Sequence, residues 1–526
     1  MRRGARRSGA TRFKLLNMNK RVVFKRYDQA QQMLLPPSYG DLVPENHPVR
    51  VVDEIVERLD ISGLEKTYKG GGASSYHPRM LLKVVLYAYL RNMYSSRKIE
   101  EALQENVHFI WLAGGAKPDH NTINDFRGKR LRGELKQIFN QVVMLLAQQG
   151  VISLKEVILD GTKIEANANR YTFVWGRAVK TSRERIERQL KELWAYVEKV
   201  YQDEEQRPNA PDFAAIDPDQ VTRTIETINE ALREKEIDPK VRQKLRYAEK
   251  NWPDKLREYE EIEKKLSGRK SLSKTDPDAT FMRMKEDHMK NGQLKPGYNV
   301  QASTENQYIV EYTLGQTTTD TSLLKDHVND IIASFGQAPE SITADAGYGS
   351  EENYLYLEEL GVTPFVKYNY FDKDQKKKSK TDTVRSDDLH YNEITDTYTC
   401  PMGQQMTYIG DKNRRTASGY LQTHRLYKAQ NCSGCPLRGP CHKAAGERII
   451  QRSPKLVRYK QMIRELLNSD VGIEKRKKRW QVEAVFGNIK QNKGFRRFNL
   501  RGIDKTTTEF GLIALAHNLQ RFSTNH

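Results

Sequence analysis

The sequence predicts a mixed α+β fold, in which a helical N-terminal part precedes a sheet with helices around it. Three observations support this prediction. Apolar residues recur at helical spacing through residues 44–150, short apolar runs of strand length begin at residue 156, and two long polar stretches interrupt those runs. At roughly 150 residues per domain, a chain of 526 residues has room for about three or four such units.

The predicted N-terminal domain comprises residues 18–150 and is mostly helical. One helix spans 78–92, a second ends near Leu103, and a third runs from Asp119 until Gly150 stops it. Short helices followed by a basic one are typical of a helix-turn-helix DNA-binding domain. An ordinary helical domain explains the same pattern equally well.

Apolar runs predict the strands of one sheet, and amphipathic segments among them predict helices. Their order is strand, strand, strand, helix, strand, helix, strand, which is typical of a ribonuclease-H-like sheet. The last helix that this fold requires follows Gly472. We therefore assign a ribonuclease-H-like catalytic domain to residues 151–372 and 456–526. The strands are expected at 156–164, 297–302, 308–314, 341–344 and 363–368, and the helices at 322–335 and 351–360.

Two insertions and an N-terminal extension complete the predicted organisation. Residues 178–272 carry apolar residues at alternating steps of four and three, which indicates a helical insertion of packed helices. Residues 373–455 form a polar, basic insertion that contains every cysteine of the chain. Residues 1–17 are rich in arginine and lack apolar periodicity, so we expect a disordered basic extension, with Met18 as an alternative start.

The charge of the chain indicates a polyanionic partner. Lysine and arginine number 88 against 68 acidic residues, and the net charge of +20 favours nucleic acid over a merely basic protein without such a partner. The most apolar stretch, Leu81–Leu90, is too short to span a membrane and includes Lys83. We expect a bacterial, cytoplasmic protein associated with the nucleoid.

Two aspartates are placed alike, each at the end of an apolar run and just before a glycine turn. Asp160 ends the run Val-Ile-Leu and precedes Gly161, and Asp345 ends the run Ile-Thr-Ala and precedes Ala346-Gly347. Phosphoryl transfer on DNA uses two divalent cations about 4 Å apart, and Mg²⁺ prefers carboxylate oxygens. These aspartates are therefore candidate metal ligands, although strand-terminal aspartates are also common turn formers.

A third acid, Glu483, lies on a predicted helix between two bases. Arg479 precedes it by four residues and Lys490 follows it by seven, so at about 100° per residue all three are expected on one helix face. One acid between two bases suits a metal ion and flanking phosphates. A solvated ion-pair face is the alternative interpretation.

These motifs resemble the DDE transposases of bacterial insertion sequences, in the branch whose catalytic helix carries a Tyr-Arg-Glu-Lys signature. Arg479, Glu483 and Lys490 match the spacing of that signature, whereas Arg476 stands at the tyrosine position. The resemblance covers nearly everything after Met18. The similar phrases are Asp160-Gly161-Thr162, Asp345-Ala346-Gly347-Tyr348, Leu34-Leu35-Pro36-Pro37, Pro118-Asp119-His120-Asn121-Thr122, Thr275-Asp276-Pro277-Asp278-Ala279 and Ala516-His517-Asn518-Leu519.

The resemblance implies a metal-dependent transposase. Asp160, Asp345 and Glu483 would hold two Mg²⁺ ions, for which Mn²⁺ can substitute, and Arg479 and Lys490 would position phosphates. Water would free a 3′-OH at the element end, and that hydroxyl would attack target DNA. Double-stranded DNA would be bound by a homo-oligomer, expected to be a dimer. A metal-dependent nuclease without strand transfer and a non-enzymatic DNA-binding protein descended from a transposase are the alternatives.

The four cysteines indicate a structural zinc site. Cys432 and Cys435 form a Cys-x₂-Cys turn, Cys441 follows six residues later, and Cys400 precedes them. Four thiolates from two turns make a closed tetrahedral site, in which His442 could replace Cys441. Free thiols and a disulfide are the alternatives, and a reducing cytosol disfavours the disulfide.

Basic residues lie on both sides of the helix that carries the third acid. They occupy 475–479 before it and 496–501 after it, and we expect phosphate contacts from both segments. A further basic run at 373–380 is more typical of a solvated surface. His120 and Trp175 are expected in capping or core roles.

Overall fold

The computed structural model of the chain describes residues 37–68, 74–202, 209–211, 213, 217–284, 292–375 and 384–525. Four sequence features fall outside the described residues, wholly or in part. They are the basic extension of residues 1–17, Met18, residues 34–36 of one family-like phrase, and the lysines of 376–380.

The described residues form helices and strands with the following bounds. The helices are α1 (Pro48–Glu57), α2 (Ser62–Lys66), α3 (Pro78–Leu90), α4 (Ser96–Glu105), α5 (Val107–Leu112), α6 (His120–Asp125), α7 (Leu135–Gln148), α8 (Gly176–Val200), α9 (Pro218–Ala231), α10 (Pro239–Leu266), α11 (Leu324–Phe335), α12 (Glu351–Glu359), α13 (Phe371–Asp374), α14 (Arg438–Cys441), α15 (Pro454–Asn468), α16 (Asp470–Lys478), α17 (Trp480–Gly487) and α18 (Ile503–Asn525). The strands are β1 (Glu156–Glu165), β2 (Phe173–Trp175), β3 (Ser271–Ser273), β4 (Thr280–Arg283), β5 (Leu294–Glu305), β6 (Tyr308–Gly315), β7 (Ser341–Ala344), β8 (Thr363–Val366), β9 (His390–Asn392), β10 (Thr397–Thr399), β11 (Gln405–Arg415), β12 (Leu421–Ala429) and β13 (Ile449–Arg452). No helix in this described part of the chain is both long and apolar enough to cross a bilayer.

The architecture is mixed α+β, as predicted, and is built on a six-stranded mixed sheet. Its strands run in the order β4-β5-β1-β7-β8, and β6 pairs with β5. Strands β1, β7 and β8 are parallel, whereas β5 is antiparallel to both β1 and β6. Every strand expected from an apolar run is present, because each run is buried within the sheet. The short strand β4 has no apolar run of its own and is an addition to the predicted sheet.

The N-terminal helices share one hydrophobic core with this sheet. The C-terminal helix α18 contacts α1, α3 and α7 as well as β6. Within that contact Arg127 donates a hydrogen bond to Tyr89 Oη over 3.1 Å, and Tyr89 donates to Glu509 Oε1 over 3.4 Å. Burial raises the pKa of Glu509, and the charge of Arg127 opposes that rise. Buried polar contacts therefore join the helical part to the sheet together with apolar packing.

The helix predicted from Asp119 to Gly150 is divided in the structure. It consists of α6, a π-helical turn at Phe126–Arg130, and α7. Gly133 separates the last two with a φ of +87°, a left-handed conformation that glycine adopts readily and that ends helical hydrogen bonding. The single long helix is therefore a wrong prediction, since apolar spacing alone does not register this break.

The basic residues of the π-helical turn contact the protein itself. Arg127 is buried, and Arg130 donates to the backbone carbonyl of Thr67 and lies over the ring of Tyr68. A helix-turn-helix domain reads DNA with side chains that project into the groove. These two arginines are engaged inside the fold and do not form such a reading surface.

Helices α8, α9 and α10 pack around a core of their own. The residues with alternating spacing in the sequence, among them Ile186, Leu190 and Ile225, are buried in it. The short strands β2 and β3 pair at its base, where the chain leaves and re-enters the main sheet. Trp175 packs there against Phe173 and Phe281 but is only partly buried, so it lies at the edge of the packing and not in the core.

The segment that contains the cysteines folds as a five-stranded antiparallel sheet in the order β13-β12-β11-β10-β9. The long hairpin of β11 and β12 reaches the N-terminus of α12. There Tyr420 Oη donates to Glu351 Oε1 over 2.9 Å, and Ser418 Oγ donates to Glu352 Oε2 over 2.6 Å. This hairpin therefore ends beside the segment that follows Asp345.

Several family-like phrases hold the fold together. The side chain of Asn518 accepts from the backbone N–H of Ile309 and donates to its carbonyl, which fixes α18 against β6. Asp278 Oδ2 accepts from the N–H of Ile503 over 2.9 Å at the start of the same helix. Asp119 caps α6, and His120 lies 2.8 Å from Glu100 Oε2.

Candidate active site

The sheet has an open edge where two of the predicted acids lie. Strand β7 pairs with β1 only as far as Ile158, which lies opposite Thr343. Continuing that parallel register by two residues sets Asp345 level with Asp160. Asp160 is 5% exposed, and its Oδ1 accepts a hydrogen bond from the N–H of Gly161 over 2.8 Å. Asp345 follows the last residue of β7, as predicted, whereas the strand end predicted at Asp160 is wrong, because β1 continues to Glu165 and stays paired with β5. The two aspartates are nevertheless level on neighbouring strands.

Gly347 and Gly161 have no side chain, and this leaves room for the polar groups of the site. A β-carbon on Gly347 would lie 2.9 Å from Asp345 Oδ1, and a β-carbon on Gly161 would lie 2.6 Å from Gln301 Nε2. Real β-carbons do not approach other atoms so closely, because the repulsion would force a shift of the chain. The glycines of both aspartate motifs therefore have a steric role beside the acids.

The third predicted acid, Glu483, is linked to Asp345 by contacts with the same arginine, Arg479. Arg479 Nη2 donates to Glu483 Oε1 over 2.9 Å, and Arg479 Nη1 lies 3.7 Å from Asp345 Oδ2. Burial disfavours the charge of this guanidinium, but the hydrogen bond to Glu483 and the charges of Asp160 and Asp345 prevail and raise the pKa of Arg479. One cation therefore stands among all three predicted carboxylates. The Glu483 side chain is 57% exposed, so this acid faces the solvent side of the site.

Lys490 lies beyond the end of α17, and its place on one helix face with Arg479 and Glu483 stays a prediction. The segment Asn488–Asn492 is a π-helical turn, which rotates its residues away from the positions that 100° per residue gives. Lys490 is buried, and its Nζ donates to the backbone carbonyl of Lys163 over 3.0 Å. A contact between Lys490 and a DNA phosphate stays a prediction. In the structure, the hydrogen bond to Lys163 links the helix end to strand β1.

Arg476, at the position of the family's tyrosine, lies over the ring of Phe371 at 5.3 Å. The basic residues after the helix are also engaged within the chain. Arg496, Arg497 and Arg501 donate to backbone carbonyls of Lys490, Ala166 and Asn167, respectively. Their guanidinium groups order the loop that follows β1, and phosphate contacts from them stay predictions.

A fourth acid, Asp320, lies at this site and was not found by sequence reasoning. It comes just before the 3₁₀ turn that leads into α11, in a run of threonines that gives no sign of an active-site residue. A β-carbon on Gly347 would lie 3.5 Å from Asp320 Oδ2, and one on Gly161 would lie 2.5 Å from Asp320 Oδ1. Both aspartate motifs therefore border this carboxylate.

The number and kind of donors fit divalent cations, but the side chains do not enclose one as they stand. Within the described ranges, no group of three or more histidine, cysteine, aspartate or glutamate side chains is close enough to hold a metal ion. The guanidinium of Arg479 supplies the positive charge that the acids require. Carboxylate oxygens on rigid strand ends are nevertheless the donors that Mg²⁺ prefers.

The four cysteines, which span residues 400–441 of the chain, lie around one small pocket. Cys400, Cys432, Cys435 and Cys441 all line it, and none forms a disulfide. Arg448 Nη1 donates to Cys441 Sγ over 2.9 Å at the wall of this pocket.

His442 lines the same pocket, and both of its ring nitrogens are buried without a hydrogen-bond partner among the described residues. Buried polar atoms without partners are costly, and a metal ion is one way to satisfy them. The donor set therefore fits zinc in kind, although the side chains line the pocket without converging on a single point.

Two family models match the chain. The model described as Transposase DDE domain matches residues 399–523, and the model described as Transposase domain (DUF772) matches residues 37–129. The first match contains Glu483 and all four cysteines, while Asp160 and Asp345 lie outside both. No curated protein and no solved structure matches the chain.

Proposed function

Since the chain belongs to the DDE transposases of insertion sequences, we propose that it binds the ends of its element and catalyses metal-dependent DNA cleavage and strand transfer. The observation that carries this proposal is the position of Arg479, which contacts Asp345 and Glu483 and is stabilised by the charge of Asp160. This arginine supports the proposal because it interacts with acids from three distant parts of the chain.

The fold is proposed to be ribonuclease-H-like. The strand order and the parallel set of β1, β7 and β8, with β5 and β6 antiparallel beside them, support that assignment. In such a sheet the strand ends are rigid, which holds catalytic carboxylates in place. Helices α16 and α17 bring the last acid from the far end of the chain.

Asp160, Asp345 and Glu483 are the residues that would hold two Mg²⁺ ions, with Mn²⁺ as a substitute. When bound, the two ions would activate the attacking oxygen and stabilise the leaving oxygen of an in-line displacement. Asp160 on β1 and Asp345 just after β7 would supply oxygens from the sheet, whereas the side chain of Glu483 is exposed to solvent. Arg479, released from the acids, is placed to bind a phosphate of the DNA.

The same residues serve two successive reactions. Water first attacks the phosphodiester bond at the element end, which frees a 3′-OH. That hydroxyl then attacks a phosphodiester bond of the target, so one bond forms as another breaks and no external energy is required. Pairing of two element ends requires two copies of the site, and a dimer on DNA belongs to this proposal.

DNA recognition is assigned to the N-terminal helices and to the positive charge of the chain. The support is the transposase-domain match over residues 37–129 and the net charge of +20. Zn²⁺ is proposed to bind the four cysteines in a structural role, because they line one pocket with His442. The role is structural since a closed set of thiolates leaves no open coordination position.

A strand-joining assay tests the proposed function. Purified full-length protein is incubated with labelled element-end DNA, a target plasmid and Mg²⁺, and a matched reaction contains EDTA. The proposal expects label joined covalently to the plasmid in Mg²⁺ alone. Cleaved ends that are never joined would favour a metal-dependent nuclease, and binding without cleavage would favour a non-enzymatic DNA-binding protein.

A further inference from the structure

Asp320 is held in a fixed orientation by the amides of strand β5. Asn299 Nδ2 donates to Asp320 Oδ1 over 2.8 Å, and Gln301 Nε2 donates to the same oxygen over 3.1 Å. Tyr348 Oη donates to Gln301 Oε1, which fixes the amide so that its nitrogen points at Asp320. Tyr348 belongs to the second aspartate motif and is fully buried. The carboxylate is thus positioned by a hydrogen-bonded chain that begins three residues after Asp345.

The hydrogen bonds to Asp320 leave one of its oxygens available. Both bonds that the described residues donate to the carboxylate go to Oδ1, so Oδ2 has no donor from this part of the chain. Oδ2 is the atom that lies 3.5 Å from a β-carbon placed on Gly347, next to Asp345 Oδ1. Oδ2 therefore lies in the same neighbourhood as the carboxylate of Asp345.

Three acids act electrostatically on the buried hydroxyl of Tyr348. Burial is the largest cause that raises the pKa of this tyrosine, and the charges of Asp320, Asp160 and Asp345 add to it. Of these three acids, Asp320 has the largest electrostatic effect on the pKa of Tyr348. This agrees with the geometry at Gly161 and Gly347, which places Asp320 between the first and second aspartate motifs.

We propose that Asp320 is a fourth acidic residue of the active site and supplies Oδ2 as a ligand to the divalent cations. The inference rests on the proposed metal-dependent function. Its Oδ2 would add a fourth carboxylate oxygen to those of the three predicted acids, and carboxylate oxygens are the donors that Mg²⁺ prefers. Asn299 and Gln301 are positioning residues, because they act by donating hydrogen bonds that orient Asp320.

An isosteric variant separates a ligand role from a structural one. Asp320→Asn keeps an Oδ1 that accepts from Asn299 and Gln301, so the fold is expected to persist, but it replaces Oδ2 by a nitrogen that cannot bind a cation. Asp326→Asn is the matched control, since Asp326 is an exposed acid six residues later on α11. Asp160→Asn serves as the reference for loss of a predicted metal ligand.

Mn²⁺ binding to the full-length protein is measured by titration calorimetry, together with the melting temperature without metal. The expected result is a loss of affinity of about tenfold or more in Asp320→Asn, with an unchanged melting temperature and wild-type affinity in Asp326→Asn. Wild-type affinity in Asp320→Asn with lost affinity in Asp160→Asn would overturn this inference alone. Wild-type affinity in both variants would instead contradict the proposed metal site.

A second variant covers the case in which Asp320→Asn does not fold. Asp320→Cys introduces a softer ligand, which binds Mn²⁺ in preference to Mg²⁺. Cleavage in Mg²⁺ should fall further than cleavage in Mn²⁺, relative to wild-type protein in each metal. Equal losses in the two metals would show that residue 320 does not touch the cations and would overturn the inference.

Discussion

Arg479 donates a hydrogen bond to Glu483 across 2.9 Å, one helical turn later in the chain. The same guanidinium lies 3.7 Å from Asp345, so the arginine that matches the family signature links two of the predicted metal ligands. In the absence of metal this cation offsets the repulsion among the acids.

Removal of Arg479 should therefore impair chemistry more than binding. We expect Arg479→Ala to reduce the single-turnover cleavage rate by about 100-fold at saturating DNA, because a positioned charge is lost from the transition state. Lys478→Ala is the matched control, since Lys478 is exposed and pairs only with Glu474 among the described residues. Cleavage rates that fall equally in both variants would contradict a specific role for Arg479.

Lys490 should contribute to stability as well as to any phosphate contact. Lys490→Met removes the donor to the carbonyl of Lys163 and leaves a buried acceptor unpaired. The expected loss is about 1–3 kcal/mol in the free energy of unfolding, measured by urea titration. Lys477→Met, at an exposed position on α16, should unfold like the wild type. An unchanged unfolding midpoint in Lys490→Met would show that the anchoring contact is unimportant.

Because of Lys493, the free energy of unfolding should rise as the pH increases above 8. Burial lowers the pKa of Lys493 from 10.5 to about 8, and its Nζ has no hydrogen-bond partner in the described residues. Between these two pKa values the unfolded chain binds a proton that the folded chain does not, so stability rises with pH across that window.

Lys493→Met should remove this dependence and stabilise the protein at pH 7 by on the order of 3 kcal/mol. Urea unfolding of both proteins at several values between pH 7 and pH 10.5 measures the effect. The lowered pKa of Lys493 would be contradicted by two results together. They are a wild-type free energy of unfolding that is flat or falls between pH 8 and pH 10.5, and no gain in that free energy for the variant at pH 7.

The cysteine pocket should bind about one equivalent of zinc, with sulfur distances of about 2.3 Å. Cys435→Ser should lose the metal and unfold the sheet of β9–β13 locally, while cleavage residues keep their positions. Ser433→Ala, in the same turn, is the matched control. Elemental analysis that finds no zinc in reduced wild-type protein would exclude the site, and X-ray absorption tests the distances.

The positions of Asp160 and Asp345 were predictable because each ends a buried apolar run, and such runs are the strongest local signal of a strand. The π-helical turn that contains Lys490 was not predicted, because counting residues at 100° each assumes an uninterrupted α-helix. Asp320 left no local signal, since its amide partners on β5 come about 20 residues earlier and meet it only in the folded sheet.

The sheet of β9–β13 escaped prediction for a related reason. Strand β11 is exposed along nearly its whole length, so its side chains do not alternate between apolar and polar. Its pairing with β12 comes from backbone hydrogen bonds, which every residue type can make. Composition identified this segment as separate but gave no information about its strands.

Single-turnover cleavage of labelled element-end DNA by Glu483→Gln, at saturating protein in Mg²⁺, tests the central claim most directly. Glu474→Gln is the matched control, because Glu474 is an exposed glutamate on the preceding helix. The account predicts that Glu483→Gln binds DNA normally but cleaves at least about 1000-fold more slowly, while Glu474→Gln stays within about twofold of the wild type. Cleavage by Glu483→Gln at the rate of the control would contradict a metal site built from Asp160, Asp345 and Glu483.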